Sequence, residues 1–364
     1  MPESQIERAE SRSGHLMRLP RVVYVGGDTI DRLGELLVRE NFEGPVCIAS
    51  GPNVRRMMGD RLAAGLKTFE MSWVDVFAPS EEAARSVEKR VKETNAKTVV
   101  AFGGGKTIDV AKVASMNVNI PMVSVPTSAS HDGISSPFAS LRDSGRPYSR
   151  VTLPPAMIAV DLGIIAEAPS RLMKGGFGDM IAKLTAVKDW ELGRDERGEY
   201  FGDYSANLAK MSAQHVMERA QQIGDRIPDG IRALVEALIS SGVAAGIAGS
   251  SRPCSGSEHL ISHALELIAP GKGLHGEKTG LATVIMAELH GLDWIRVKHS
   301  LKMAGCPTNF QEIGITEEDV IKAIVMAPSL RPERYTILHK LQMEEAEARN
   351  LVRHTEVVGP MASE

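Results

Sequence analysis

Cysteine is scarce. Cys47, Cys254 and Cys306 are the three in a chain of 364 residues, too few and too far apart for a disulfide scaffold or a thiolate-rich metal site. Positive charge is not in surplus either. Lys and Arg number 42 against 46 Asp and Glu, a formal charge of -4, so nucleic acid is a poor partner. No apolar run nears the ~20 residues that a bilayer crossing needs, and no membrane insertion is expected. The opening MPESQIERAESRSGH has no apolar segment of a secretory signal, so the expected location is the cytoplasm. Repeats of fixed period and low-complexity tracts are absent. What is present is an ordinary globular balance, 43% hydrophobic and 24% charged, enough for a large core. At roughly 100–200 residues per domain, the length suggests two domains and most simply an enzyme.

The two halves differ in pattern. Val22–Val25, Val46–Ser50, Val74–Phe77, Thr98–Phe102, Met122–Pro126 and Met157–Asp161 are short β-branched runs of the kind that form buried strands. Amphipathic segments at Thr29–Glu40, Val54–Gly65 and Ser80–Asn95 alternate with the earlier ones, which argues for βαβ units and a mostly parallel sheet. Ser135–Ala156, with Gly145, Pro147, Pro154 and Pro155, breaks that rhythm and reads as an extended excursion or hairpin. Beyond about Pro169 helical periodicity takes over, in Met173–Gly193, Tyr200–Ile223, Gly230–Ser241, Ser257–Ile268, Thr279–Gly291, Trp294–Ala304, Glu317–Met326 and Leu338–His354. The expected fold class is α/β: a flexible start (1–20), a Rossmann-like dinucleotide-binding domain (21–168) and an all-helical domain (169–364). The active site is expected in the cleft between the last two.

Gly103-Gly104-Gly105-Lys106-Thr107-Ile108-Asp109 follows the strand Thr98–Phe102 and opens a helix, the setting in which backbone N–H groups and a helix dipole receive a phosphate. It is neither a Walker A loop, since Val100 stands where a glycine is needed, nor a G-x-G-x-x-G fingerprint. A tight turn without a ligand is the plain alternative, and three successive glycines exceed what a turn needs. Gly26-Gly27-Asp28 is a weaker version of the same signal. Pro126-Thr127-Ser128-Ala129-Ser130-His131-Asp132-Gly133 puts small hydroxyl residues and a carboxylate at the next strand's end. Asp132 there could accept a substrate hydroxyl. In the second half, Gly178-Asp179 is read at a helix start, His259 and His263 fall one turn apart on one helix face, and His275 opens a Gly-rich helix start. One carboxylate and two imidazoles suit Zn²⁺ or a similar divalent ion with room left for substrate. Spacing leaves open which of His259 and His263 is the ligand. His15, His215, His290, His299, His339 and His354 have no carboxylate at motif spacing and read mostly as surface; Glu344–Arg349 reads as a solvated helix face.

In order, GGGKTIDVAK, PTSASHDG, GFGD, SGSEHLISHALE and LHGEKTGLA resemble the archaeal-type glycerol-1-phosphate dehydrogenases. Their superfamily also holds iron-containing alcohol dehydrogenase, glycerol dehydrogenase and 3-dehydroquinate synthase. The likeness covers about Arg21 to Gly359. It implies NAD(P)H-dependent reduction of dihydroxyacetone phosphate to sn-glycerol 1-phosphate for ether lipids. It implies that Gly105, Lys106, Thr107, Ile108 and Asp109 hold the cofactor pyrophosphate, and that Thr127, Ser128, Ala129, Ser130 and Ser136 line its nicotinamide half. Asp179, His259 and His275 would bind Zn²⁺, with Asp132, Asp179 and His263 on the substrate, and Asp132 and His263 nearest the chemistry. Arg252, seven residues before His259, would clamp the substrate phosphate, by analogy with an arginine of 3-dehydroquinate synthases.

The rival readings are a glycerol dehydrogenase acting on unphosphorylated polyols, a 3-dehydroquinate synthase-like lyase and a catalytically silent nucleotide-binding protein. Gly256, where the lyase has an asparagine, weighs against the second, and the Asp179, His259 and His275 set against the third. The strand Val46–Ser50 ends in Ser50-Gly51-Pro52-Asn53 without a carboxylate, and Arg55 and Arg56 follow, so NADPH should be accepted beside NADH. A homo-oligomer is left open.

Overall fold

Six β-branched runs pair side by side in the computed structural model, which describes residues 15–143 and 146–358. They are β1 (Val22–Gly26), β2 (Val46–Ser50), β3 (Met71–Asp75), β4 (Thr98–Gly103), β5 (Met122–Pro126) and β8 (Met157–Asp161). Between β5 and β8 the expected excursion is an antiparallel hairpin of β6 (Phe138–Asp143) and β7 (Arg146–Val151). The six-stranded sheet has the order β1-β8-β5-β4-β2-β3 and every pairing in it is parallel. β2, β4, β5 and β8 are buried from end to end, because helices cover both faces. The chain runs from β2 out to the edge strand β3 and returns to the other side of β2 as β4. The turn after β4 therefore opens beside the reversal in strand order, where open α/β sheets receive ligands.

Two expectations shift. β3 begins three residues earlier than the run Val74–Phe77; it is a half-buried edge strand, and Phe77 beyond it is 78% exposed. The helix expected at Gly230–Ser241 runs from Pro228 to Ala248. With mean hydropathy 1.6 over its best window it is long and apolar enough to cross a membrane, contrary to the sequence reading, yet 72% of that window is buried inside the fold. It packs along the helix Asp203–Glu218. The expected flexible start lies outside the described residues over 1–14. Residues 15–20 run without regular structure past the end of that long helix, with His15 Nε2 2.5 Å from the Ile247 carbonyl.

After β8 and a short helix Leu162–Glu167, all further regular elements among the described residues are helical. The segment Met173–Gly193 is two helices, Ser170–Ile181 and Lys183–Arg197, meeting at Ala182. Tyr200–Ile223 divides after Glu218, and Leu338–His354 divides at Gln342, whose φ is 48°. One hydrophobic core joins both halves, from Cys47 and Val99 in the sheet to Leu260, Leu281 and Val352 in the helices.

Close backbone contact fixes how the helical half packs on itself and against the sheet half. Helix Ser170–Ile181 crosses helix His275–Leu289 so tightly that a methyl added at Gly178 would strike the Gly276 carbonyl, and one at Gly276 would strike the Gly175 carbonyl. A methyl at Gly176 would strike the Ala129 carbonyl of the loop after β5. These glycines each cost a helix about 1 kcal/mol relative to alanine, and the packing offsets it. Gly178→Ala should therefore destabilise the fold by about 1–3 kcal/mol, read as a lower denaturation midpoint at unchanged slope. A wild-type midpoint would mean that the two helices have room to spare.

Candidate active site

Three side chains from three helices converge where the halves meet. Asp179 lies near the C-terminal end of helix Ser170–Ile181, not at a helix start as expected, because the Gly-rich stretch before it is itself helical. His259 is the third residue of helix Ser257–Ile268, and His275 opens helix His275–Leu289. One ligand atom from each lies within 4.8 Å of the others. Asp179 and His259 are buried.

Each imidazole is held by its far nitrogen. His259 Nδ1 lies 2.7 Å from Glu258 Oε1, which turns Nε2 toward Asp179 Oδ1 at 3.3 Å. Glu258 is fully buried and also accepts from Gly256 N at 2.6 Å and Thr185 Oγ1 at 2.8 Å. His275 Nδ1 lies 3.3 Å from Ser262 Oγ and 3.5 Å from Glu266 Oε1. Outer carboxylates of this kind orient metal-binding histidines and raise their basicity. A carboxylate and two imidazoles so oriented fit an open Zn²⁺ site. Burial disfavours charge on His259, but its bonds to Asp179 and Glu258 prevail and raise its pKa. A divalent ion must then displace a proton from it, so affinity should weaken at lower pH.

Asp132 joins this cluster from the other half. Its backbone N donates to Asp179 Oδ2 at 3.1 Å, and its Oδ2 accepts from Ser241 Oγ at 3.1 Å. Lys183, overlooked in the sequence, lies between the two acids, with Nζ 3.0 Å from Asp132 Oδ2 and 3.1 Å from Asp179 Oδ1. Nothing in the pattern marks a lysine at the start of a helix as fully buried. Burial opposes its charge, but Asp132 and Asp179 prevail and raise its pKa above the usual range. His263 sits one turn beyond His259, its ring 5.7 Å from that of His275, and its buried Nδ1 has no partner. Burial, then the charge of His275, pushes its pKa down to about 3, which keeps it neutral. His263, Glu266 and His275 also lie close enough to share an ion, so geometry alone does not choose between His259 and His263.

On the sheet side, Gly104 precedes helix Gly105–Val118 with no side-chain cap, and the first-turn amides of such a helix have no intrahelical partner. Two of the three glycines have a packing reason: a methyl at Gly103 would meet Thr107, and one at Gly105 would strike the His131 ring. The glycine count is thus weaker support for a phosphate than it looked, and the helix N-terminus carries that reading. Ile108 is fully buried in the core. Asp109 is held by Lys112 Nζ at 3.1 Å and accepts from Ser140 N at 3.0 Å, which turns it away from any pyrophosphate. Gly105, Lys106 and Thr107 remain for that role. Thr127, Ser128 and Ala129 are buried beside this turn, with Ser128 Oγ facing Gly104, and Ser130 is partly open. Ser136 is buried, with Oγ 3.4 Å from the Phe138 carbonyl.

Comparison with known proteins decides the family. The chain is 48% identical over 349 residues to a glycerol-1-phosphate dehydrogenase [NAD(P)+] of Hyperthermus butylicus, covering 95% of this chain and 99% of that one. It is 46% identical over 346 residues to that of Nitrosopumilus maritimus, covering 94% and 97%. The chain belongs to the glycerol-1-phosphate dehydrogenase family. The family model for iron-containing alcohol dehydrogenase matches residues 24–169. Glycerol dehydrogenase from Schizosaccharomyces pombe has the same fold, with a TM-score of 0.77 at 18% identity over 94% of this chain and 90% of that one. Sulfoacetaldehyde reductase from Bifidobacterium kashiwanohense, solved in complex with NAD+, gives 0.76 at 13% over 95% and 99%.

Family membership does not rescue every expected residue. Arg252 is buried, its Nε donating to Glu199 Oε2 at 2.8 Å and its Nη1 to the Tyr335 carbonyl at 2.8 Å, with Nη2 also on Glu199. A guanidinium so engaged ties two segments together and is not a phosphate clamp. His290, read as surface, is buried with Nε2 3.1 Å from Asp189 Oδ1. Arg349 reaches Glu318 from the helix face read as solvated, closing ion pairs between two helices. Glu258 escaped notice although it adjoins a predicted ligand, because an acidic residue in a first helical turn usually needs no further reason.

Glu258→Gln removes the carboxylate behind His259. Zn²⁺ affinity, measured by competition with a chromophoric chelator, should fall roughly 10–100-fold while the far-ultraviolet dichroism stays. Unchanged affinity would show that Glu258 serves only the fold.

Proposed function

We propose that this protein reduces dihydroxyacetone phosphate to sn-glycerol 1-phosphate with NADH or NADPH, supplying a glycerophosphate backbone for ether lipids. The observation that carries the reading is the meeting of Asp132 from the sheet half with Asp179, Lys183, His259 and His275 from the helical half. Near-full-length identity to glycerol-1-phosphate dehydrogenases supports it over the polyol and lyase alternatives. Three buried free cysteines support a reducing cytoplasm.

When bound, a divalent ion on Asp179, His259 and His275, Zn²⁺ by donor chemistry, would supply Lewis-acid polarisation of the C2 carbonyl, and NAD(P)H the hydride. The chain's own residues do the rest. Asp132 has Oδ2 engaged by Lys183 and Ser241, which leaves Oδ1 to accept a substrate hydroxyl. Neutral His263, with its ring 5.7 Å from that of His275, is placed to hydrogen-bond a substrate oxygen and pass a proton to it. Arg252 is buried against Glu199 and the Tyr335 carbonyl; Lys278 and Arg142, which share the single carboxylate Glu266 and so leave one positive charge over, are the better candidates for the phosphate. They lie 3.5 Å and 3.7 Å from Glu266, from opposite halves, beside His263.

The deciding experiment offers pure protein NADH with dihydroxyacetone phosphate and, separately, dihydroxyacetone, and determines the product's configuration. Turnover confined to the phosphate ester, giving sn-glycerol 1-phosphate, is expected. Preference for dihydroxyacetone would mean a polyol dehydrogenase.

Cofactor choice has its own test. Arg55 and Arg56 flank a groove with Pro52, Gly59 and Trp73 beyond the end of β2. Arg55 lies over the Trp73 ring at 5.0 Å and bridges to Asp75 at 3.2 Å, while Arg56 donates to Asn53 Oδ1 at 3.3 Å. Arg56→Ala should raise KM for NADPH by a charged hydrogen bond, about 1.5–3 kcal/mol, and leave KM for NADH nearly unchanged. Equal effects on both would place the 2′-phosphate elsewhere.

A further inference from the structure

The chemistry above gives Lys183 no part beyond engaging Asp132, yet it is a fully enclosed charge at the site. Its side chain is 0% exposed, and its nitrogen touches two carboxylates from opposite halves of the fold. Nζ lies at ion-pair distance from both. The contact is ionic, so its effect is to hold two negative groups together. Without that cation, Asp132 and Asp179 would face each other across a buried gap. They would repel, or both would turn to the same divalent ion.

Their other contacts show what the lysine separates. Asp179 directs Oδ1 toward His259 and receives the Asp132 backbone N on Oδ2, the posture of a ligand fixed among imidazoles. Asp132 has its Oδ2 pinned by Lys183 and Ser241, with its side chain 18% exposed on the remaining side. Resting on the proposed function, we infer that Lys183 is a positioning residue: it restrains Asp132 from becoming a further metal ligand and keeps its free oxygen turned to the substrate.

This role has a signature that a structural role lacks. Lys183→Met should bind Zn²⁺ roughly tenfold more tightly, because the released Asp132 adds a ligand. Made in the Asp132→Asn variant, the same change should bring no gain over Asp132→Asn alone. In the steady state, Lys183→Met should raise KM for dihydroxyacetone phosphate about as much as Asp132→Asn does, with the double variant no worse than either. Weaker Zn²⁺ binding by a folded Lys183→Met would overturn the inference, as would the same tightening when the change is made in Asp132→Asn, since that would be through-space charge alone. Should Lys183→Met not fold, the charge-matched pair Lys183→Met/Asp132→Asn takes its place. A KM tenfold above that of Asp132→Asn alone would show Lys183 acting on substrate directly, and would overturn the inference. The Zn²⁺ titrations need no substrate. A wild type inactive toward dihydroxyacetone phosphate would therefore sink the functional reading without touching them.

Discussion

The whole site depends on two helices that touch through backbone. Helices Ser170–Ile181 and His275–Leu289 approach closely because Gly175, Gly178, Gly276 and Gly280 carry no side chains at the crossing. Asp179 follows Gly178, and His275 precedes Gly276, so one contact sets the separation of two candidate ligands. The loop carrying Asp132 lands on the same helix at Gly176, where the Ala129 carbonyl occupies the place of a side chain. Packing this dense has few alternatives of similar energy, and that is how side chains from distant parts of the chain are held to a few tenths of an ångström.

The glycines also show where sequence reasoning errs in kind. In the sequence their abundance suggests loops and helix starts suited to phosphate and metal. In the structure, Lys174–Gly178 is mid-helix, and two of the three glycines after β4 make room for Thr107 and His131. A glycine in a sequence reports that a side chain is unwelcome. It does not report whether a ligand or the protein's own backbone takes the space.

What was legible was what local pattern determines. β2, β5 and β8 fall where continuous β-branched runs put them, because a strand buried on both faces needs apolar residues throughout. The helix Ser257–Ile268, with two histidines on one face, was equally plain. β3 was misjudged because a half-buried edge strand tolerates Ser72 and Asp75, while the apolar Phe77 points into solvent. Breaks at Ala182 and Gln342 went unseen because neither residue signals one strongly. Arg252 and Lys183 are the instructive pair. An arginine at a suggestive offset is locked to Glu199, and a lysine with no suggestive neighbour lies at the centre of the site. A charged side chain's role depends on which distant residue reaches it, and that is a tertiary fact.

Charge counting ties these residues together. Asp132, Asp179 and Glu258 place three carboxylates in or beside the cluster, and Lys183 places one ammonium among them. With neutral imidazoles, three negative charges less one positive leave two, the complement of a single divalent ion. Glu266 is matched separately by Lys278. Unbalanced charge inside a protein is costly, and groups change protonation to avoid it. His259 leans the same way: its bonds to Asp179 and Glu258 outweigh burial and raise its pKa, so a second ring proton would supply part of that positive charge. A divalent ion bound there would compete with that proton for one imidazole. Lys183, with its charge held by two carboxylates, sets how much of the deficit is left for either to fill.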